Sequence, residues 1–479
     1  MKFNVLLIMA LSSLLGCKKD FQGENNYAYF GGEIINPNNN YVVLNSPEKT
    51  ADTLYLDANN RFLHKLENLK PGLYTFMHGG EFQRVLIEPK DSILLRLNTI
   101  DFDESMVFTG DGARKNNYLI SMFIQNETDN KKFMDMMWGM EPEKFEQALD
   151  SNRNSKLTEL KDFISHKEYS NYFKSISESN INYDYYSYKE LYPFSYYGYN
   201  NLIHYKDLPT NFYDFRKNVD YNNEDLIAVI PYSRFLFCHF NNLALGKFYE
   251  TATNNVVFDN QSVVYNLEKL QLMDSVITNK NIKNYLLKYT TKDFITISKD
   301  SSETKEVLNS FLAKSTDEKD KVYMKDLTKN VNNLKPGNKL PNVKLRNYHD
   351  TIVDSDSIIT KPTVIYFWSS NFPLLLRNSH FKAKIFRSKF PGFNFIAINI
   401  NDDDKSRWAN TIKQYHFPID NEYQLQDTAD AMRKLVINSV NRSIFVDSDG
   451  TIINSNAMMF TSEFEEELER ILHKKEAHH

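Results

Sequence analysis

The pattern of hydrophobic and polar positions changes character twice along the 479 residues. Between residues 27 and 110 the apolar runs are short and rich in β-branched and aromatic side chains: 27–35, 41–44, 53–57, 61–66, 73–77, 82–88, 92–98 and 106–109. Turn-forming clusters separate them at nearly regular spacing, such as Asn59-Asn60, Pro71-Gly72, Gly79-Gly80 and Pro89-Lys90-Asp91. Short strands at that spacing predict an antiparallel β-sandwich. From about residue 116 to 335 the apolar residues recur at helical spacing instead, as in Leu157, Leu160, Phe163 and Ile164, or Leu267, Leu270, Met273 and Ile277. Helix starts are signalled by Glu141-Pro142-Glu143-Lys144 and Ser301-Ser302-Glu303. An all-helical region of roughly eight to ten helices of ordinary length is expected there.

A third pattern opens at Pro336-Gly337 and Pro341, with short strands over 343–345 and 351–353. Residues 363–368 are a six-residue apolar run that suits a strand covered on both faces. A helix follows over 373–390, with Pro373 where its missing N–H is not needed and Pro391-Gly392 as the stop. A second buried strand covers 393–400, helices 405–415 and 427–435, a hairpin 443–447 and 451–454 about Asp449-Gly450, and a last helix 461–474. The fold class is therefore multi-domain α+β: 27–112 a β-sandwich, 113–334 an all-α domain and 335–475 an α/β domain.

Net charge is −5 and charged residues make up 25% of the chain, so there is no basic footprint for nucleic acid. Histidines are scattered and no Cys/His spacing suits a metal, so neither metal nor cofactor is expected. The two cysteines are Cys17 and Cys238. Cys17 follows a charged start at Lys2, an apolar run from Val5 to Leu15, and Leu14-Leu15-Gly16, which together read as a signal peptide over 1–16. That run is too short to span a bilayer. Leu14-Leu15-Gly16-Cys17 resembles the lipobox of bacterial lipoproteins. The resemblance implies that Cys17 is acylated (palmitate among the chains), that 17–26 is a tether, and that the partner there is a membrane. Lys18 does not resemble the inner-membrane retention signal, which places the protein at the outer membrane, facing the periplasm or the cell surface. Cys238 then remains as one thiol without an intramolecular disulfide partner.

Phe367-Trp368-Ser369-Ser370, at the end of the buried strand, resembles the active-site phrase of thioredoxin-like thiol–disulfide reductases of the bacterial membrane-anchored type, Phe-Trp-(Ala/Ser)-(Ser/Thr)-Trp-Cys-x-x-Cys. The likeness extends over about 335–474 and includes Asn399-Ile400-Asn401-Asp402 to Trp408. Upstream, Asn60-Arg61-Phe62, Pro71-Gly72-Leu73-Tyr74 and Gly110-Asp111-Gly112-Ala113 resemble the β-domain of unknown function common in such lipoproteins. The resemblance implies a thioredoxin fold for 335–475. At the two cysteine positions, however, stand Phe372 and Leu375, and Asn441 stands where the family keeps a cis-proline. Thiol–disulfide exchange needs a thiolate at a helix N-terminus and a second thiol to resolve the mixed disulfide. A cis bond before Asn441 would cost about 2.5–4 kcal/mol, so a trans bond is expected. No catalytic residue is assigned: Ser369 and Ser370 lack a placed histidine, His380 lies two turns along the helix, and Ser370 or Asn371 serves as N-cap.

The leading functional expectation is a redox-inactive thioredoxin-like domain that binds a protein or peptide at a groove lined by Trp368, Asn371, Phe372, Leu375 and Arg442. Two alternatives belong to other classes. One is an oxidoreductase-related enzyme of the cell envelope acting through Cys238, which demands an exposed, acidified thiol, or through another site in the helical region; adjacent helical positions point about 100° apart, so His239 does not activate Cys238. The other is surface glycan binding through Tyr185, Tyr186, Tyr196 and Tyr197, against which stands packing of these rings between helices. Met134, Met136, Met137 and Met140 around Trp138 are expected to fill core.

Overall fold

The computed structural model describes residues 26–48, 50–195, 207–251, 257–401 and 405–476. Cys17 with the expected signal peptide, and Tyr196 and Tyr197, lie outside the described residues. Contacts divide the chain into two compact units, Met1–Gln125 and Asn126–His479.

In the first unit, β1 (Tyr27–Ile35), β4 (Arg61–Glu67), β7 (Ser92–Asn98) and β8 (Val107–Asp111) form one sheet in the order β4-β1-β7-β8. The second sheet holds β2 (Tyr41–Asn45), β3 (Ala51–Tyr55), β5 (Gly72–His78) and β6 (Glu81–Ile87) in the order β3-β2-β5-β6. Alternate residues of both, among them Phe30, Val42, Phe76, Val85 and Leu95, meet in one apolar cluster. One expectation needs correction: β1 and β7 pair in parallel, with Tyr29 opposite Ser92. The two strands are joined through the other sheet rather than by a hairpin, and only a hairpin forces the antiparallel sense. A Cβ on Gly31 would stand 2.6 Å from the carbonyl oxygen of Phe62, so this position accepts only glycine at the observed strand spacing. Helix α1 (Ala113–Met137) starts here. Asn116 accepts from the Leu86 N–H at 2.7 Å and donates to the Leu86 carbonyl at 2.9 Å, and Lys115 sits between Glu88 and Asp91 at 2.6 and 2.7 Å.

The second unit continues with α2 (Pro142–Ser165), α3 (Asn171–Leu191), α4 (Ile230–Thr251), α5 (Val263–Val276), α6 (Lys280–Ile297), α7 (Ser301–Lys314) and α8 (Glu318–Asn333). Side-chain caps from Ser170, Ser262, Asn279, Asp300 and Asp317 satisfy first-turn N–H groups of five of them. The tyrosine-rich stretch runs along α3 and packs inward: Tyr183 meets Tyr232 edge-on at 4.7 Å, Tyr186 stacks on Phe215 at 4.5 Å, and Tyr188 and Tyr192 are buried. Met137 is buried, whereas Met134 and Trp138 are exposed, so core filling describes only part of that cluster.

The chain then forms β9 (Lys344–Asn347), β10 (Ile352–Asp354), β11 (Thr363–Trp368), α9 (Pro373–Lys389), β12 (Asn394–Asn399), α10 (Lys405–Tyr415), β13 (Glu422–Leu425), α11 (Thr428–Lys434), β14 (Ser443–Val446), β15 (Ile452–Ala457) and α12 (Ser462–Glu476). The sheet order is β10-β9-β13-β12-β11-β14-β15, with β11–β12 and β12–β13 parallel and β14 antiparallel to β11. This is the crossover-then-hairpin arrangement that a thioredoxin-like fold implies. All six residues of β11 are buried, with Val364, Tyr366 and Trp368 on the side of Ala383, Phe386 and Phe464, and Ile365 and Phe367 on the side of Ala431 and Leu435. Strand β13 was not expected: its Glu-Tyr-Gln-Leu has no β-branched residue and forms only through pairing with β12 and β9. Among the described residues no helix is long and apolar enough to cross a membrane.

Candidate functional site

Strand β11 delivers Trp368 to the sheet's end, and α9 begins five residues later, at Pro373. Ser369 and Ser370 turn the chain under hydrogen bonds: the Ser370 N–H donates to Asn401 Oδ1 at 2.8 Å and the Asn371 N–H to Ser369 Oγ at 3.1 Å. Asn399, fully buried, donates to the same Asn401 oxygen at 3.1 Å, which ties the ends of β11 and β12 together. The N-cap is Phe372, with no side-chain cap, rather than Ser370 or Asn371 as expected. Both of those side chains belong to the turn before the helix. Phe372 is 36% exposed, Leu375 half-buried and Leu376 buried. Beside them an open groove of about 390 Å³ runs between the start of α9 and α10, lined by Ser370, Pro373, Leu376, Arg407, Asn410 and Tyr415.

Beneath this surface lies a buried polar cluster. The Trp368 indole N–H donates to Glu422 Oε2 at 3.1 Å, and Nε2 of His380 stands 3.1 Å from Glu422 Oε1. Nδ1 of His380 lies 2.8 Å from the Leu376 carbonyl, which can only accept, so Nδ1 carries hydrogen. His380 Nε2 is left facing the Glu422 carboxyl. Phe417 stacks on the imidazole at 3.6 Å. Burial pushes the Glu422 carboxyl above its ordinary value, and His380 opposes that shift. With both its nitrogens engaged, His380 is no base for Ser369 or Ser370. Sequence reasoning missed Glu422 because the strand that carries it was missed.

Among the described residues no peptide bond is cis, the one before Asn441 included. Arg442 points inward: its guanidinium donates to the carbonyl of Leu435 at 2.7 Å and to those of Val436 and Ser455, and burial pulls it down to about 10. Trp368 is 1% and Arg442 8% exposed. Neither lines the groove between α9 and α10: Trp368 is held by Glu422 below the turn, and Arg442 satisfies buried carbonyls in a separate small cleft beside Val436, Asn438 and Ser455. Asn371, Phe372 and Leu375 reach the surface beside the groove, but its lining comes from their chain neighbours Ser370, Pro373 and Leu376.

Cys238 is buried in α4 and burial pushes its thiol up to about 12, so an exposed, acidified thiol is ruled out. The neighbouring His239 turns away, its Nδ1–H donating to Glu190 at 2.8 Å. Glu190 also accepts a fork from Arg216 and a bond from Asn242 at 2.6 Å. Its burial raises the carboxyl, but His239 and Arg216 outweigh burial and hold it below the ordinary value. No group of three or more His, Cys, Asp or Glu suited to a metal ion occurs among the described residues.

No known protein family's model matches the sequence, and no curated protein is similar to it. Solved structures are similar over parts of the chain. The thioredoxin domain of a thiol-disulfide oxidoreductase from Bacteroides vulgatus matches 29% of this chain and 98% of its own, at 18% identity and TM-score 0.26. A thioredoxin-like protein from Bacteroides caccae matches 59% of this chain and 92% of its own, at 11% identity and TM-score 0.33. A SCO1/SenC family lipoprotein from Bacillus anthracis matches 28% of this chain and 94% of its own, at 12% identity and TM-score 0.25.

Proposed function

We propose that this chain is an envelope lipoprotein, anchored at the outer membrane through Cys17, whose thioredoxin-like domain is redox-inactive and binds a protein or peptide. In this reading 27–112 is a β-sandwich, 113–334 a helical domain and 335–475 the binding domain. The observation that carries it is Phe372: a large apolar ring, 36% exposed, stands where a reactive thiol would sit, next in the chain to Pro373, which lines an open groove. An exposed aromatic beside a concave surface is the usual anchor of recognition. Asn371 and Leu375 flank it, and the Trp368–Glu422–His380 cluster fixes the turn from below. The reading through Cys238 loses its support with that thiol's burial, and Tyr185 is occupied in packing.

The test is photocrosslinking from a benzoylphenylalanine placed at position 372 of the full chain in its native envelope, with position 55 as control. Tyr55 is 71% exposed on β3. A discrete adduct formed from 372, absent from 55 and lost with Leu375→Asp, is expected, together with no turnover in reductant-driven insulin reduction. Adducts of equal yield from both positions, or insulin reduction by the full chain, overturn the reading.

A further inference from the structure

The face of α9 that looks away from the sheet carries a pattern that the groove does not use. Leu376, Ser379, His380, Ala383 and Phe386 are buried on the inward face. On the outward face Leu374 is 63%, Phe381 66% and Ile385 44% exposed. At about 100° per residue these three fall within a wedge of about 40° and run about 16 Å along the helix. Their spacing, with Asn378 and Ser388 completing the series, is that of alternating seam positions of a heptad repeat. None of the three lines the groove beside Phe372.

The residues flanking that seam share one sign of charge. Arg377 and Lys384 stand on one side, Lys382 and Lys389 on the other, and α9 contains no acidic residue. Lys389 is neutralised by Glu465 and Glu469 of α12, and Lys382 lies over the Phe386 ring at 5.1 Å. Arg377 and Lys384 are exposed and make no ion pair with a described residue. In a two-helix seam the flanking charges select the partner. A second copy of this helix would set Arg377 and Lys384 against like charges. A lipid surface calls for an apolar face far wider than this wedge, and Asn378 and Ser388 interrupt it.

We propose that the outward face of α9 is a docking seam for an acidic amphipathic helix of another protein, its apolar residues seated on Leu374, Phe381 and Ile385 and its carboxylates on Arg377 and Lys384. The seam stands apart from the groove at Phe372, so either can fail alone.

The probes are two labelled synthetic three-heptad peptides with leucine at both seam positions, one flanked by glutamate and one by lysine, titrated against the purified full chain by fluorescence anisotropy. The glutamate peptide is expected to bind at least about tenfold more tightly, and raised salt to weaken it. Phe381→Ser with Ile385→Ser should lose at least about tenfold of that affinity. Arg377→Glu with Lys384→Glu should invert the preference, a gain that misfolding cannot mimic. All four side chains are exposed, and unchanged thermal unfolding checks the fold. Equal binding of the two peptides, or tight binding that survives the serine pair, overturns the proposal. So does self-association in sedimentation that the serine pair abolishes, which assigns the face to a second copy. Flotation with anionic vesicles that the serine pair abolishes, without peptide preference, assigns it to a membrane and equally overturns it.

Discussion

Glu190 in the helical region and Glu422 beneath the turn from β11 into α9 are both fully buried carboxylates paired with a buried histidine. Their titration shifts point in opposite directions. Glu190 faces a guanidinium fork, an imidazole and an amide, so four donors favour its charged form despite burial. Glu422 has the neutral Trp368 indole, the His380 ring and the charge of Arg387 acting without a hydrogen bond, together too little to offset the loss of water. Burial alone therefore does not tell in which direction a buried carboxylate is shifted. The number of charged donors decides.

The largest expected effect lies at Glu190. Glu190→Ala leaves Arg216 and His239 facing an empty acceptor site and should cost about 3–5 kcal/mol at neutral pH, read from urea unfolding. Because the folded carboxyl sits below its ordinary value, its stabilisation is full above the ordinary carboxylate range and is lost as pH falls through the folded value. The gap between parent and variant should close in acid.

A smaller effect of opposite sign is expected at Glu422. Its folded carboxyl sits above the ordinary value, so the folded state holds the proton more tightly. Its contribution to stability is best in acid and declines as pH rises from the ordinary range through the raised value. Glu422→Gln keeps an acceptor for Trp368 and a donor for His380, and should lie within about 1 kcal/mol of the parent at neutral pH. Thermal unfolding across pH should show the variant gaining on the parent as pH rises through that window. A loss as large as that of Glu190→Ala would end the contrast.

The smallest effect is kinetic. Cys238, one position from His239, should react with iodoacetamide in the folded protein only through opening of the helical region. Glu190→Ala should speed that reaction and Glu422→Gln leave it unchanged. Equal acceleration by both would mean that the two sites open together.

Much of the architecture was legible from local pattern. The strand at Thr363–Trp368 and the helix at Lys405–Tyr415 match their expected limits, and Pro373 opens α9 as a first-turn proline should. The element missed, β13, has no periodic signal of its own and exists because β12 offers it an edge, so Glu422 was lost with it. Arg442 and Trp368 were read as groove residues because a sequence names side chains but not their direction. Likewise Ser370 was read as a cap, whereas its N–H is held by Asn401, 31 positions away.

What the sequence determined by itself is what depends on residues close along the chain: the run of short strands, the helical spacing, the phrase ending at Ser370, and the absence of cysteine at positions 372 and 375. Tertiary structure alone decided the parallel pairing of β1 with β7, the buried polar cluster of Trp368, His380 and Glu422, and the burial of Cys238 and Arg442. Those depend on which distant groups share a desolvated volume, and no local periodicity encodes that.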